Sequence, residues 1–502
     1  MEKLLLGLDL GMSTAKAGLF TATGRQVALA SEEYLQIPEG VPVLEADAEL
    51  FWRAVCAVIR EALAMAGAGS AERVAGVSIS SHAETLIILG EDGQTVRPAI
   101  LSPDSRAEQE AAELTALVGN DWILERTAQP EITAMWPACK LAWLKRHEPD
   151  SLAAATHILL PPDFIIYRLC GAAVGEAAAW LSSVMLDITS QAWLAPVLDY
   201  AGVRQEQLPQ LLAPGTLAGR VTAQAAAETG LAEGTPVAVG CMDQICAGLA
   251  AGNVRPGIVT ASTGSVLALM ATTPAPVFDH VTKIPAYPHA VPGLYCLLPW
   301  NPTGGMVLKW YKDRFGQLEE HQAQGSGASV YDLLTGPAAE VPPGCDGLTM
   351  VPHLQGVLFP EVNPAARGAF IGFSLMHTKA HFTRAILEAI AYMLRSGVEC
   401  LRGLGVNVEE VRVLGGGARN RLWNQIMADV CQVPIATPAN LEAAVLGAAM
   451  LAAVGADVVP DALAAAEMMV GIAGRYLPDV ALAGVYEEGY ARYNRLYQKL
   501  YS

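Results

Sequence analysis

Charge is scarce in this sequence. Only 16% of its 502 residues are Asp, Glu, Lys or Arg, and the basic ones are the rarer kind: 32 Lys and Arg against 50 Asp and Glu, a formal net charge of −18. So acidic a surface gives a polyanion little to hold, which argues against nucleic acid and anionic membrane as partners. A paired cysteine pattern is lacking too. The nine Cys run from Cys56 to Cys431, the closest pair (Cys241 and Cys246) is not a CxxC, and no zinc-ligand spacing occurs. Buried thiols in a reducing cytosol are the plain reading. No uncharged apolar run reaches the roughly 20 residues of a membrane span, and the Ala-rich stretch 443–459 is interrupted by Gly and Asp. The opening MEKLLLGLDLG is too short for a signal peptide and carries Asp9. A GxxxxGK[ST] loop is also missing, which disfavours a P-loop nucleotide site. These absences predict a soluble cytoplasmic protein.

What is present is apolar. With 52% hydrophobic residues the chain can bury a large core, and at about 100–200 residues per domain it holds two to four domains. Residues 4–9 and 16–20 read as a hairpin with its turn at Gly11. Residues 48–66 have helical spacing, and 74–79 and 86–89 read as strands, followed by a helix over 105–118. The same form recurs later: strands over 237–241, 258–262 and 266–270, a long amphipathic helix over 381–404, a strand over 411–414, and helices over 422–430 and 443–454. Alternating strands and helices predict a layered α/β fold. Gly11 and Gly264 sit in comparable turns about half a chain apart, which suggests two similarly built domains with a cleft between them.

Several clusters carry chemistry. Asp9-x-Gly11-x-Ser13-Thr14-x-Lys16 offers turn N–H groups, two hydroxyls and a cation to a phosphate, with Asp9 as a hard oxygen ligand for Mg²⁺; a stabilised hairpin turn reads equally well. Gly264-Ser265 is a second phosphate cradle or an ordinary β-turn. Gly415-Gly416-Gly417 follows a strand and precedes a helix, so a flat ligand can approach its backbone, with Asn420 and Asn424 as hydrogen-bond partners. Asp243 ends an apolar strand, where a carboxylate can take a proton from a hydroxyl; local sequence alone favours a helix N-cap. Ser80-Ser81-His82-Ala83-Glu84-Thr85 and Asp104-Ser105-Arg106 are polar groups suited to gripping sugar hydroxyls, or simply solvated.

Taken in order along the chain, these pieces resemble the FGGY family of carbohydrate kinases, within the actin/hexokinase/Hsp70-type ATPase superfamily. The resemblance also rests on Lys140-Leu141-x-Trp143-Leu144, Leu160-Pro161-Pro162-Asp163, Cys241-Met242-Asp243-Gln244, Gly304-Gly305 and Leu446-Gly447-Ala448-Ala449, and it covers essentially the whole chain. It implies two actin-like (ribonuclease H-like) domains, 1–250 for sugar and the first phosphate loop and 251–502 for nucleotide, closing over an interdomain cleft. It implies Asp243 as catalytic base, Asp9 and Asp243 at magnesium, and Ser81, His82, Glu84, Asp104 and Met242 at the substrate. For ATP it implies Gly11, Ser13, Thr14, Lys16, Gly264, Ser265, Gly305, Gly415, Gly416, Gly417, Asn420 and Asn424. ATP and Mg²⁺ are the implied cofactors, and a homodimer is in keeping with the family.

The departures bear on substrate. Xylulose kinases carry Gln-Met-His-Gly where this chain has Ser80-Ser81-His82-Ala83. Glycerol kinases carry Arg-Glu-Thr where it has Ala83-Glu84-Thr85. Ser102 replaces a usual Trp, and Met12 a common Thr. His82 favours a ketopentose such as D-xylulose; Glu84-Thr85 favours glycerol or another polyol. A non-catalytic ATP-binding regulator is the reading from another class, against which stand Asp9, Asp243 and the glycine loops.

Overall fold

In the computed structural model, residues 2–38 and 40–501 are described. The chain forms two compact units, each of several segments: Met1–Val254, Thr273–Cys296 and Glu442–Val470 in the first, Arg255–Thr272, Leu297–Leu441 and Gly471–Ser502 in the second.

The first unit begins with β1 (Leu4–Leu10), which turns into antiparallel β2 (Thr14–Thr21) and then β3 (Gln26–Glu33). Strand alternation decides what each face of β1 meets. Leu4, Leu6, Leu8 and Leu10 join a core with Phe51, Val55 and Ile59 of α1 (Glu49–Ala66). Gly7 and Asp9 face the other way. β4 (Val74–Ser81) lies parallel to β1. Then come α2 (Ala177–Leu181), β5 (Leu217–Arg220), β6 (Pro236–Ala238), β7 (Cys241–Met242) and α3 (Asp243–Ala250). The sheet order is β5-β6-β4-β1-β2-β3, with β7 also on β4. The sequence predicts one strand over 237–241, but the structure divides it. At the break, a Cβ on Gly240 would overlap the carbonyl of Ile79, so only glycine lets the chain step in against β4 there.

The second unit repeats the plan. β8 (Gly257–Thr263) is antiparallel to β9 (Leu267–Thr273). After α4 (Met306–Phe315), α5 (Val330–Thr335) and the long α6 (Lys379–Gly403), β10 (Val408–Leu414) lies parallel to β8. α7 (Arg421–Cys431) leads to β11 (Ile435–Pro438), parallel to β10. The chain then returns to the first unit as α8 (Ala443–Gly455) before closing the second sheet with β12 (Ile472–Tyr476). The strand order here is β9-β8-β10-β11-β12.

Small residues let α8 lie against β1, β4 and α3. A Cβ at Gly7 would overlap the carbonyl of Val445, and one at Gly447 that of Cys246. The helix behind Asp243 is therefore backed by a second helix at backbone contact. None of the described helices is long and apolar enough to cross a membrane.

Candidate active site

In open α/β sheets, ligands gather at the carboxyl ends of the parallel strands. In the first unit three such ends lie side by side. Asp9 of β1 is in register with Ser80 of β4, and Met242 of β7 with Ser81 of β4. Asp9, His82 and Asp243 therefore emerge together. Asp243 is the first residue of α3; the N-cap position belongs to Met242, whose side chain makes no capping bond. Asp243 Oδ1 accepts the N–H of Gln244 at 2.6 Å. Burial, then the neighbouring Asp9 carboxylate, and more weakly Glu84, push the Asp243 carboxyl up to about 7. Burial also raises Asp9, to about 6, although the Ser80 hydroxyl donates to its Oδ1 at 3.0 Å and Lys16 pulls the other way. These carboxylates stay in one site at the cost of mutual repulsion, a pattern found where chemistry is done.

His82 makes two bonds. Its Nδ1 lies 3.0 Å from the carbonyl of Leu10, which can only accept, so Nδ1 carries the proton; Nε2, 3.0 Å from Thr85 Oγ1, is left as acceptor. Burial pushes its pKa down to about 4, so the ring is neutral. The Thr85 hydroxyl in turn accepts the N–H of Ser102. Glu84 sits at φ 65°, a left-handed conformation that a non-glycine residue keeps only when its surroundings enforce it. The enforcing group is Lys140, fully buried, whose three ammonium hydrogens go to the carbonyls of Glu84, Leu101 and Ser102 at 3.0, 2.8 and 3.1 Å. Burial lowers this lysine to about 7. The Ser102 hydroxyl donates to Glu84 Oε2 at 3.2 Å, so the position where a tryptophan is usual holds the acidic side chain instead.

Other predicted residues are spent within the protein. Asp104 accepts Arg106 Nε and Nη2, the Arg106 N–H and the Leu44 N–H, and has no exposed surface. Burial raises its carboxyl, but the Arg106 guanidinium outweighs this and holds it below the usual range. The Ser81 hydroxyl donates to the Leu10 carbonyl and is fully buried. Met242 is 7% exposed. Lys16 is ion-paired with Glu442 at 2.7 Å. The first turn itself is well made: Gly11 N–H bonds the Thr14 carbonyl, Tyr34 Oη donates to the Gly11 carbonyl, and Ser13 and Thr14 stay half-exposed.

The second unit presents a cavity of about 580 Å³ at the equivalent strand ends. Gly264 and Ser265 line it from the β8–β9 turn, Gly305 from the start of α4, and Gly416, Gly417 and Asn420 from the loop after β10. A Cβ on Gly417 would overlap the Thr263 hydroxyl, and one on Gly305 would fall 2.5 Å from the Thr263 carbonyl oxygen. Asn420 caps α7 through the Trp423 N–H and bonds Thr335 with its amide. Gly415 (φ 79°) makes the turn without lining the cavity. Asn424 does not line it either: it is fully buried, its Nδ2 donating to the Ala418 carbonyl, and it holds the glycine loop from behind. Sequence reasoning passed over Tyr331, Asp332 and Arg419, which also line it; nothing in their local sequence marks them. It also gave no role to Lys140, although that residue stands in a family motif, or to Glu176.

The comparisons with known proteins show the family. Residues 4–250 match the N-terminal domain and residues 258–456 the C-terminal domain of the FGGY family of carbohydrate kinases. A xylulose kinase of Bacillus subtilis is 28% identical over 99% of this chain and 97% of its own length. An autoinducer-2 kinase of Yersinia enterocolitica is 30% identical over 98% and 94%. The crystal structure of a xylulose kinase from Rhodospirillum rubrum superposes with a TM-score of 0.86 at 32% identity, covering 99% of both chains. With its two ribonuclease H-like units and the strand-end groups described above, the chain belongs to the FGGY family of carbohydrate kinases and is a sugar phosphotransferase.

Proposed function

We propose that this enzyme transfers the γ-phosphoryl group of ATP to a hydroxyl of a pentulose, with D-xylulose as the leading acceptor. The observation that carries the reading is Asp243: a carboxylate at a strand end, raised to about 7 by burial and Asp9. A base works best with its pKa near the working pH, and such proton transfer contributes about 10²–10⁴-fold. Asp243 takes the proton of the acceptor hydroxyl as that oxygen forms its bond to the γ-phosphorus; the bond to the bridging oxygen breaks and ADP leaves with the electron pair. His82, neutral and fixed by Leu10 and Thr85, and the Glu84 carboxylate orient the remaining hydroxyls. The glycine-walled cavity of the second unit suits the nucleotide, whose phosphates are met by the N–H groups of Gly264 and Ser265.

Asp9 and Asp243 fit magnesium, which favours hard oxygen ligands and is usually held by one or two carboxylates with phosphates and water. Among the described residues no group of three or more His, Cys, Asp or Glu is placed to hold a metal ion by itself. When bound, the ion neutralises charge on the transferring phosphate. A cytosolic setting accompanies the reading, in keeping with nine unpaired cysteines.

The test is a panel of acceptors in a coupled ADP-release assay: D-xylulose, D-ribulose, L-ribulose, glycerol and autoinducer-2. The highest kcat/KM is expected for D-xylulose. A clear preference for glycerol or autoinducer-2 would refute the pentulose assignment while leaving the kinase in place.

A further inference from the structure

We propose that Glu176 is a positioning residue that sets the placement of Asp243; this rests on the reading of Asp243 as the base. Glu176 is 3% exposed and stands at the N-cap of α2. Its Oε2 accepts the Ala178 N–H at 2.6 Å, and its Oε1 accepts the Ala179 N–H at 2.7 Å. Those two bonds complete a cap. A third goes elsewhere: Oε1 also accepts the N–H of Met242 at 3.1 Å, 66 residues away and directly before Asp243.

The strand held in this way is short. β7 is two residues long, is separated from β6 by the step at Gly240, and among the described residues pairs only with the end of β4. Asp243 follows at once, with one oxygen on its own helix's Gln244 N–H, so a shift of Met242 moves the carboxylate with it. The choice of side chain supports a second duty. A five-residue helix is capped as well or better by Ser, Thr, Asp or Asn; the extra length of glutamate lets it reach Met242 as well. The carboxylate stays buried among three backbone N–H groups and the Cys241 thiol, with no cation paired to it among the described residues, and burial raises it to about 7. Such a group is costly to keep.

Glu176→Ser retains a capping hydroxyl for α2 but cannot reach Met242. Glu176→Gln retains one acceptor oxygen at full length. Thr222→Ala serves as control, removing the cap of another helix of the same unit, where Thr222 accepts the Ala225 N–H. A misplacement of about an ångström costs up to about 10²-fold. E176S is therefore expected to lower kcat about 10–100-fold with the KM for ATP within twofold of wild type, E176Q to recover part of that loss, and T222A to leave kcat unchanged. Should E176S not fold, E176Q alone is expected to show the same kcat-against-KM split. E176S turning over within twofold of wild type (or, where E176S does not fold, E176Q doing so), while Asp243→Asn is inactive, overturns the positioning role alone. Normal turnover by D243N overturns the base reading and this proposal together. A kcat loss in T222A equal to that in E176S also refutes it, by reducing the effect to general destabilisation.

Discussion

The two units build their strand ends alike and fill them differently. In each, an antiparallel hairpin (β1–β2, β8–β9) lies beside a parallel strand (β4, β10), and in the second the strand ends open onto the cavity of about 580 Å³. The first unit furnishes those ends with carboxylates: Asp9, Glu84 and Asp243. The second furnishes them with glycines: Gly264, Gly416 and Gly417. Carboxylates close together repel one another and an anionic ligand, but they suit proton transfer and a metal ion. Bare backbone at a turn suits phosphates, which need N–H groups and close approach. On the proposed reading, one scaffold serves acceptor chemistry in one copy and nucleotide binding in the other, by exchange of a few residues at equivalent places.

The comparison is sharpened by variants that damage one unit only. Apart from the loss of Asp243 itself, the largest effect is expected at Lys140. Lys140→Met removes the donor for three carbonyls, each buried acceptor costing about 1–3 kcal/mol when left unmade. The strained loop at Glu84 then loses its clamp. The KM for the acceptor should rise about 10–100-fold in steady-state kinetics, with the Kd for ADP unchanged by calorimetry; loss of ADP binding instead would break the separation. In the second unit, Gly417→Val forces a side chain onto Thr263. Overpacking costs about 1–3 kcal/mol, so ADP affinity should fall about tenfold while acceptor KM holds. The smallest effect concerns pH. Asp243 lies near 7 in the folded protein against 3.8 as its ordinary value. Between these values the folded state keeps a proton that the unfolded chain has lost, so this group's contribution to stability falls as pH rises through the window. D243N should therefore gain stability over wild type at pH 8, by roughly a few kcal/mol at most, and little at pH 4. Equal gains at both pH values would show that the carboxylate is not raised.

Much of this arrangement is legible in the sequence because turns and strand ends leave local marks. Gly11, Gly264 and Gly415–Gly417 each follow an apolar run, and Asp243 ends one. The helix over 443–454 is legible as a helix. Its return to the first unit is not, because an alanine-rich surface fits any close-packed partner. Asp104 and Arg106 are spaced to find each other, yet as a polar cluster they read as a sugar grip; burial, which local pattern does not report, makes them a structural pair. Asn424 follows Asn420 by one helical turn and so reads as a second ligand contact, but in the fold it faces the glycine loop from behind. Lys140 and Glu176 are the instructive omissions. Their distant partners are backbone groups 38 to 66 residues away, and backbone groups carry no sequence signature.

The most direct test joins turnover to binding in one variant. D243N should bind ADP with a Kd within about twofold of wild type by calorimetry, while its kcat with D-xylulose falls by about 10² or more. Near-normal turnover, or ADP affinity lost along with turnover, would contradict the division of labour between carboxylate ends and glycine ends.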